Sequence, residues 1–195
     1  MIIGLTGGIA SGKSTVVNYL KTKHIPICDT DDIAREVVLP GSIGLQQLID
    51  AFGGDIVNAD GYLNRSLLAD KVFGNDVSLK KLNAILHPLI FEKVEAFKTE
   101  QSNAKIAVID MPLLFETQYN HRVDHVMLVY VDEVVQYERL IKRNGLTPQQ
   151  AKQRIQSQMP LSEKIKGAHS IINNNGTIEE TYAQVDECLK QLDMI

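Results

Sequence analysis

Cysteine, tryptophan and long apolar runs are scarce in this sequence, and each scarcity removes a class of protein. The two cysteines, Cys28 and Cys188, lie far apart and form neither a CxxC pair nor finger spacing, which argues against a disulfide framework or structural metal and for a reducing cytosol. No apolar stretch approaches the roughly 20 residues that a membrane helix needs. Met1 to Thr6 carries no basic leader before a glycine-rich turn, so a cytoplasmic location without membrane contact is expected. An excess of one charge is missing too. Twenty Lys+Arg against 24 Asp+Glu leave a net charge of −4, so no global attraction to nucleic acid is expected and any anion site has to be local. His24, His87, His121, His125 and His169 show no HExxH or comparable spacing. Hydrophobic residues at 44% and charged residues at 23% exclude disordered, collagen-like and coiled-coil chains, and 195 residues suit one core with small inserts.

Short apolar runs alternate with helical patterns along most of the chain. Ile2-Ile3-Gly4-Leu5-Thr6 reads as a buried strand, Val16, Val17 and Leu20 recur at helical spacing, and Ile25 to Cys28 follows as a second strand. Ile106 to Ile109, Val126 to Val131 and Ser170 to Ile172 are further strands, with helices over Val134 to Lys142 and from about Ile178. This alternation predicts an α/β fold with a mostly parallel sheet. Between Leu39 and Lys105 the pattern is helical without a convincing strand, including Ser66 to Phe73 and Leu79 to Phe97, which predicts a helical insert. From Arg139 to Lys166 the chain is helical, broken at Gly145 and Pro160. This segment carries Arg139, Lys142, Arg143, Lys152, Arg154, Lys164 and Lys166 against the single acid Glu163.

The chemistry begins at Gly7-Gly8-Ile9-Ala10-Ser11-Gly12-Lys13-Ser14, a GxxxxGK[ST] match between a strand and a helix. Small residues let backbone amides turn around phosphate oxygens, and the helix N-terminus adds positive potential. Lys13 can reach the β and γ phosphates, and Ser14 can ligate magnesium. GxGxxG is absent, which disfavours a dinucleotide site.

Asp29-Thr30-Asp31 follows the second strand at its C-terminal end, the edge where open α/β sheets bind ligands. Either carboxylate suits a proton acceptor for a hydroxyl or a magnesium partner through water. The structural alternative is that Asp29 or Thr30 caps the next helix and Asp31 pairs with Arg35. Asp110 ends the strand from Ile106 and is a candidate metal support, while Glu116 is the polar candidate in the Met111 to Glu116 segment. Arg139 and Arg143 stand four apart on one helix, where like charges repel unless an anion lies between them.

Taken in order, IGLTGGIASGKST, Asp29-Thr30-Asp31-Asp32-Ile33-Ala34-Arg35, His87-Pro88, Pro112-Leu113-Leu114-Phe115-Glu116, Arg139-Leu140-Ile141-Lys142-Arg143 and Ile171-Ile172-Asn173-Asn174-Asn175-Gly176 resemble the bacterial dephospho-coenzyme A kinases almost from end to end. The resemblance implies a P-loop nucleotide-kinase-like three-layer fold with a five-stranded parallel sheet, a helical acceptor-binding insert and a helical lid. In this numbering the core is 1–37, 105–138 and 168–195, the insert 38–104 and the lid 139–167. It further implies ATP with Mg2+ as donor and the ribose 3′-hydroxyl of dephospho-coenzyme A as acceptor, giving coenzyme A and ADP. By position Asp31 becomes the base, with Lys13 and Arg139 also catalytic. Gly8, Ala10, Ser11, Gly12, Lys13, Ser14 and Thr15 fall to ATP with Arg139, Arg143, Asn174 and Gly176, the Asn174 to Gly176 turn lying near adenine. Arg35, His87 and Glu116 join Asp31 at the acceptor. Ser14 is the metal ligand, with Asp29 and Asp110 as further candidates. The sequence departs from the family pattern at Thr30, usually alanine, Ala10, usually glycine, and His169, commonly aspartate.

Two rivals remain. One is another small-molecule kinase of the same fold, acting on a nucleoside or a shikimate-like alcohol. The other is a nucleotide-dependent switch, but the NKxD motif that a GTP switch requires is absent, and a basic lid over phosphates favours transfer with water excluded.

Overall fold

The structure, a computed structural model, describes residues 1–192. In chain order the elements are β1 (Ile2–Gly7), α1 (Lys13–Thr22), β2 (Ile27–Asp29), α2 (Thr30–Glu36), α3 (Ile43–Phe52), α4 (Arg65–Val72) and α5 (Asp76–Glu100). They continue with β3 (Ala107–Asp110), β4 (His125–Tyr130), α6 (Glu133–Asn144), α7 (Pro148–Gln156), α8 (Leu161–Gly167), β5 (Ser170–Asn173) and α9 (Ile178–Gln191). The second strand begins at Ile27 rather than Ile25. Pro26 has no N–H for a ladder and contributes only its carbonyl, which accepts from Val108 N at 2.9 Å.

The five strands form one parallel sheet in the order β2-β3-β1-β4-β5. Its two faces are set by the two-residue alternation of strand side chains. Met127 and Val129 of β4 join Ile3, Leu5, Val108 and Ile172 in a cluster that receives Val16, Val17 and Leu20 of α1 with Val185 and Leu189 of α9. Leu128, between them in sequence, points the other way and packs with Val131, Val135, Leu161 and Ile165. Helices on both faces make three layers, because a parallel sheet buried on both sides has no solvent face to offer.

The chain divides into two compact units. One is Met1–Cys28 together with the chain from Gln101 onward, and the other is Asp29–Glu100. The second begins at Asp29, ahead of the position 38 expected for the insert, because Val37 and Val38 belong to a core of its own with Leu48, Ile56, Leu68 and Val72. The long α5 lines that core with Leu82, Ile85, Leu86, Leu89 and Ile90. Its only sheet-like feature among the described residues is an isolated antiparallel bridge between Val57 and Leu63. Among the described residues no helix is long and apolar enough to cross a membrane.

His169 sits where β5 is about to start, its Nδ1 accepting from Val126 N at 2.9 Å. That is the N-terminal edge of the strands, opposite the edge at which β1 runs into the glycine-rich turn, so this departure from the family pattern braces the sheet rather than the turn. The His125 ring lies beside it, with centroids 5.2 Å apart, and His125 Nε2 is 2.9 Å from Ser170 Oγ. Burial, with His169 as a smaller contributor, pushes the His125 pKa down, and burial alone does the same to His87. An unfolded histidine titrates near 6.5. Both groups are therefore expected to add stability that is complete above that value and lost as pH falls below it, since the unfolded chain takes up protons that the fold resists. Urea midpoints between pH 7.5 and 5.5 should drop with acid, and His125→Gln should flatten the curve; an unchanged curve in the variant would remove His125 as its source.

Candidate active site

Beyond Gly7 the backbone turns sharply. Ser11 N donates to Gly8 O at 3.0 Å, and Ala10 (φ 60°) and Gly12 (φ 85°) both occupy the left-handed region. A non-glycine residue there costs roughly 1–2 kcal/mol. Ala10 meets the turn's demand with the smallest possible Cβ, which is how the chain departs from glycine there and keeps the geometry. Helix α1 then starts at Lys13 with no side-chain cap and no acidic residue in its first turn. Its first amides and the positive end of its dipole are left to an outside anion. Ser11 Oγ is buried without a hydrogen-bond partner, a polar atom aimed into the same turn.

Lys13 Nζ is paired with Asp110 Oδ1. The carboxylate ends β3, in register with Leu5 of β1, so the parallel sheet brings the two residues together across 97 positions of sequence. The side chain of Asp110 is only 4% exposed. A fixed carboxylate of this kind holds the ammonium at the mouth of the turn.

Asn174, after β5, is buried and commits both ends of its amide. Nδ2 donates to Ser11 O at 2.8 Å, and Oδ1 accepts from Thr181 Oγ1 at 2.8 Å. A Cβ on Gly12 would collide with that Nδ2, so the glycine is required by contact as well as by angle. Arg139 Nη2 donates to Asn174 O at 2.9 Å, which ties α6 to the same network. Arg143, one turn further along α6, is exposed and reaches only its neighbour Asn144 Oδ1, at 2.8 Å by Nε, among the hydrogen bonds described. Gly176 is exposed at the start of the turn that leads to the Thr177–Glu180 capping box of α9.

Glu116, expected at the acceptor, has its carboxylate on the basic segment. Its Oε1 accepts from Met159 N at 2.9 Å and lies 3.0 Å from Lys164 Nζ. Lys164 is wholly buried and also donates to Pro112 O at 3.0 Å, a carbonyl that Thr6 Oγ1 shares at 3.1 Å. Burial lowers the Lys164 pKa more than the Glu116 pair raises it. Lys164 is therefore no part of an anion-facing surface, although its charge places it in the basic run.

In the Asp29–Glu100 unit Asp29 caps α2, its Oδ1 accepting from Asp31 N at 2.8 Å and Asp32 N at 3.3 Å. Arg35 donates to Asp32 Oδ1 at 2.6 Å, and both side chains are exposed. Asp31 is exposed in the first turn of α2. His87 is half-buried in α5 next to Pro88, its ring 5.6 Å from that of Phe91.

Gln136, Gln158, Lys164 and Thr181 escape sequence reasoning. Each is a polar residue in a polar stretch, and nothing in periodicity marks it as buried or bonded to the glycine-rich turn.

Comparison with known proteins comes down on one family. A family model described as dephospho-CoA kinase matches residues 1–180. A dephospho-CoA kinase of Geobacillus kaustophilus is 47% identical over 100% of this chain and 98% of its own length. One of Shouchella clausii is 48% identical over 97% of each. Among solved structures a Thermus thermophilus protein superposes with TM-score 0.83 at 31% identity, covering 98% of this chain and 97% of its own. A shikimate kinase of Aquifex aeolicus, at TM-score 0.54 and 15% identity over 100% and 99%, shares the fold alone.

The buried cation yields a stability prediction. Removing one partner of a buried pair strands the other charge, at a cost of about 3–5 kcal/mol when that charge is fully buried. Glu116→Gln strands the wholly buried Lys164 ammonium, whereas Lys164→Met strands a Glu116 carboxylate that is 23% exposed and still accepts from Met159 N. Glu116→Gln should therefore destabilise the protein more than Lys164→Met, by at least about 1 kcal/mol in urea unfolding. The reverse order would show that the pair does not carry the junction.

Proposed function

Because the chain belongs to the dephospho-CoA kinase family, its reaction is the phosphorylation that completes coenzyme A, and we propose that ATP with Mg2+ is the donor and the ribose 3′-hydroxyl the acceptor. The observation that carries the donor half is the uncapped N-terminus of α1 behind the left-handed Ala10 and Gly12, with Lys13 held beside it by Asp110. Polyphosphate is the anion that such a curl of amides, a buried unpaired hydroxyl and an ammonium fit together.

In this reading the turn from Ser11 to Thr15 cradles the phosphates, the amides of Gly12, Lys13 and Ser14 facing them while Ser11 N and Thr15 N stay on Gly8 O and Gly12 O, and fixes the γ-phosphorus for in-line attack. Lys13, with Asp110 behind it, leans toward the transferring group as negative charge spreads over its oxygens. Arg139 keeps one guanidinium nitrogen on Asn174 O and has others left for phosphate, while the exposed Arg143 completes the basic face. Asn174 to Gly176 border the base of the nucleotide. Ser14, exposed in the first turn of α1, would hold magnesium, with Asp110 and the cap residue Asp29 as supporting carboxylates. When bound, the ion neutralises charge between the β and γ phosphates. Asp31 accepts the hydroxyl proton as the ribose oxygen bonds to phosphorus and the bond to the β-phosphate oxygen breaks. Arg35 and His87 serve the acceptor, His87 as a neutral ring because burial depresses its pKa. Glu116 serves it indirectly, through Lys164 and Met159.

Lys13→Ala should lower turnover at least about a hundredfold while the protein stays folded, since the ammonium acts mainly in the transition state. A folded variant with parental turnover would end the phosphate-loop assignment. Asp31→Asn separates base from scaffold. The α2 cap is Asp29, so the melting temperature should hardly move. Loss of a positioned base should cost about 10² to 10⁴ in rate. A variant that melts well below the parent yet keeps a near-normal rate per folded molecule would make Asp31 structural and move the base to Asp29 or Asp110.

A further inference from the structure

Ile9, at the outer corner of the phosphate loop, has both its backbone groups taken by glutamine side chains. Its N–H donates to Gln158 Oε1 at 2.8 Å, and its carbonyl accepts from Gln136 Nε2 at 2.7 Å. Gln136 is 5% exposed on α6, one turn before Arg139. Gln158 stands between α7 and α8 in the basic segment, directly ahead of Met159, whose N–H is held by Glu116. The neighbouring glycine belongs to the same arrangement. A Cβ on Gly8 would lie 2.5 Å from Gln136 Nε2 and 3.2 Å from Leu161 Cγ, so Gly8 is required by the approach of α6 and α8, since its φ lies outside the left-handed region.

We infer that Gln136 and Gln158 are positioning residues for the donor half of the reaction. Together they clamp Ile9, set the left-handed turn at Ala10 that follows, and couple the helical lid segment to the phosphate loop. A hydrogen-bonding pair is needed because the loop turns its later amides toward the phosphates, which leaves Ile9 facing protein, where an unpaired N–H or carbonyl would be costly. The two partners come from different segments, Gln136 from α6 one turn before Arg139 and Gln158 from the linker between α7 and α8. A displacement of the lid linker therefore releases the Ile9 N–H first, while Gln136 keeps the carbonyl. The clamp borders a cavity of about 430 Å³ that Tyr130, Ile155 and Ile165 also line, and methionine matches glutamine in length without its hydrogen-bonding amide.

This inference rests on the phosphate-loop reading and is tested separately from it. Gln158→Met and Gln136→Met are each assayed for KM of ATP, KM of dephospho-coenzyme A, kcat and melting temperature, and the exchange rate of the Ile9 amide is followed by NMR. Loss of one net hydrogen bond is worth about a factor of ten, and more where its partner stays buried and unpaired. In both variants KM for ATP is expected to rise by about three- to tenfold with KM for dephospho-coenzyme A unchanged. Ile9 amide exchange should speed up about tenfold in Gln158→Met. A purely structural role would lower the active fraction or the melting temperature and leave KM for ATP where it was. Unchanged KM for ATP in folded Gln158→Met overturns the inference, as does an Ile9 amide that exchanges at the parental rate. If Gln136→Met does not fold, Gln158→Met decides alone, because its side chain lies in a half-buried linker. Failure of the phosphate-loop reading would show instead as full activity in Lys13→Ala, whatever the Ile9 amide does.

Discussion

Everything at the candidate site depends on where one short stretch of backbone finds its hydrogen bonds. A loop that wraps an anion must aim several N–H groups inward, and the groups left facing protein still need partners, since a buried unpaired backbone group is expensive. The chain meets this demand with side-chain amides from distant segments: Gln136 and Gln158 on Ile9, and Asn174 on Ser11. None of the three is near the loop in sequence. Each is brought there by the sheet order, which sets β1 beside β4 and β4 beside β5 and so gathers the segments following those strands around the end of β1.

The same topology explains why charges in this region are paired rather than free. Asp110 lies in register with β1 and holds Lys13, while the turn after it offers Pro112 O and Glu116 to Lys164. A buried ammonium is a poor way to gain stability, because desolvation offsets most of the Coulomb attraction. Its effect is geometric: the carboxylate that neutralises Lys164 also accepts from Met159 N, next to Gln158. The segment between α7 and α8 is thereby attached at adjacent residues to the glycine-rich turn and to the turn after β3.

Local patterns were legible where a residue's role is decided by its neighbours in sequence. The GxxxxGK[ST] segment, the caps and breaks at Gly145 and Pro160, and the C-terminal helix from Ile178 all stand where the pattern puts them, because each depends on a few adjacent φ angles and hydrogen bonds. The Asp29 cap was legible as one of two alternatives, and the geometry of α2 chooses it. Lys164 was not legible: seven basic residues in a row of helices look like one surface, and only packing against Pro112 and Glu116 distinguishes the buried one. The start of the second compact unit at Asp29, against the expected 38, has a similar reason, since Val37 and Val38 continue a βα pattern in sequence but are buried in one core with Leu48, Leu68 and Val72.

By itself the sequence determined the fold class, the glycine-rich turn between β1 and α1, the run of helices before β3 and the family, because those are carried by periodicity, by glycine where backbone angles or close contacts forbid a Cβ, and by motifs in a fixed order. Tertiary structure alone decided which polar residues support the loop. Whether a glutamine is solvated or clamps a backbone amide, and whether a lysine faces water or a carboxylate, depends on which segments the sheet order brings together, and that is a long-range property that no local pattern encodes.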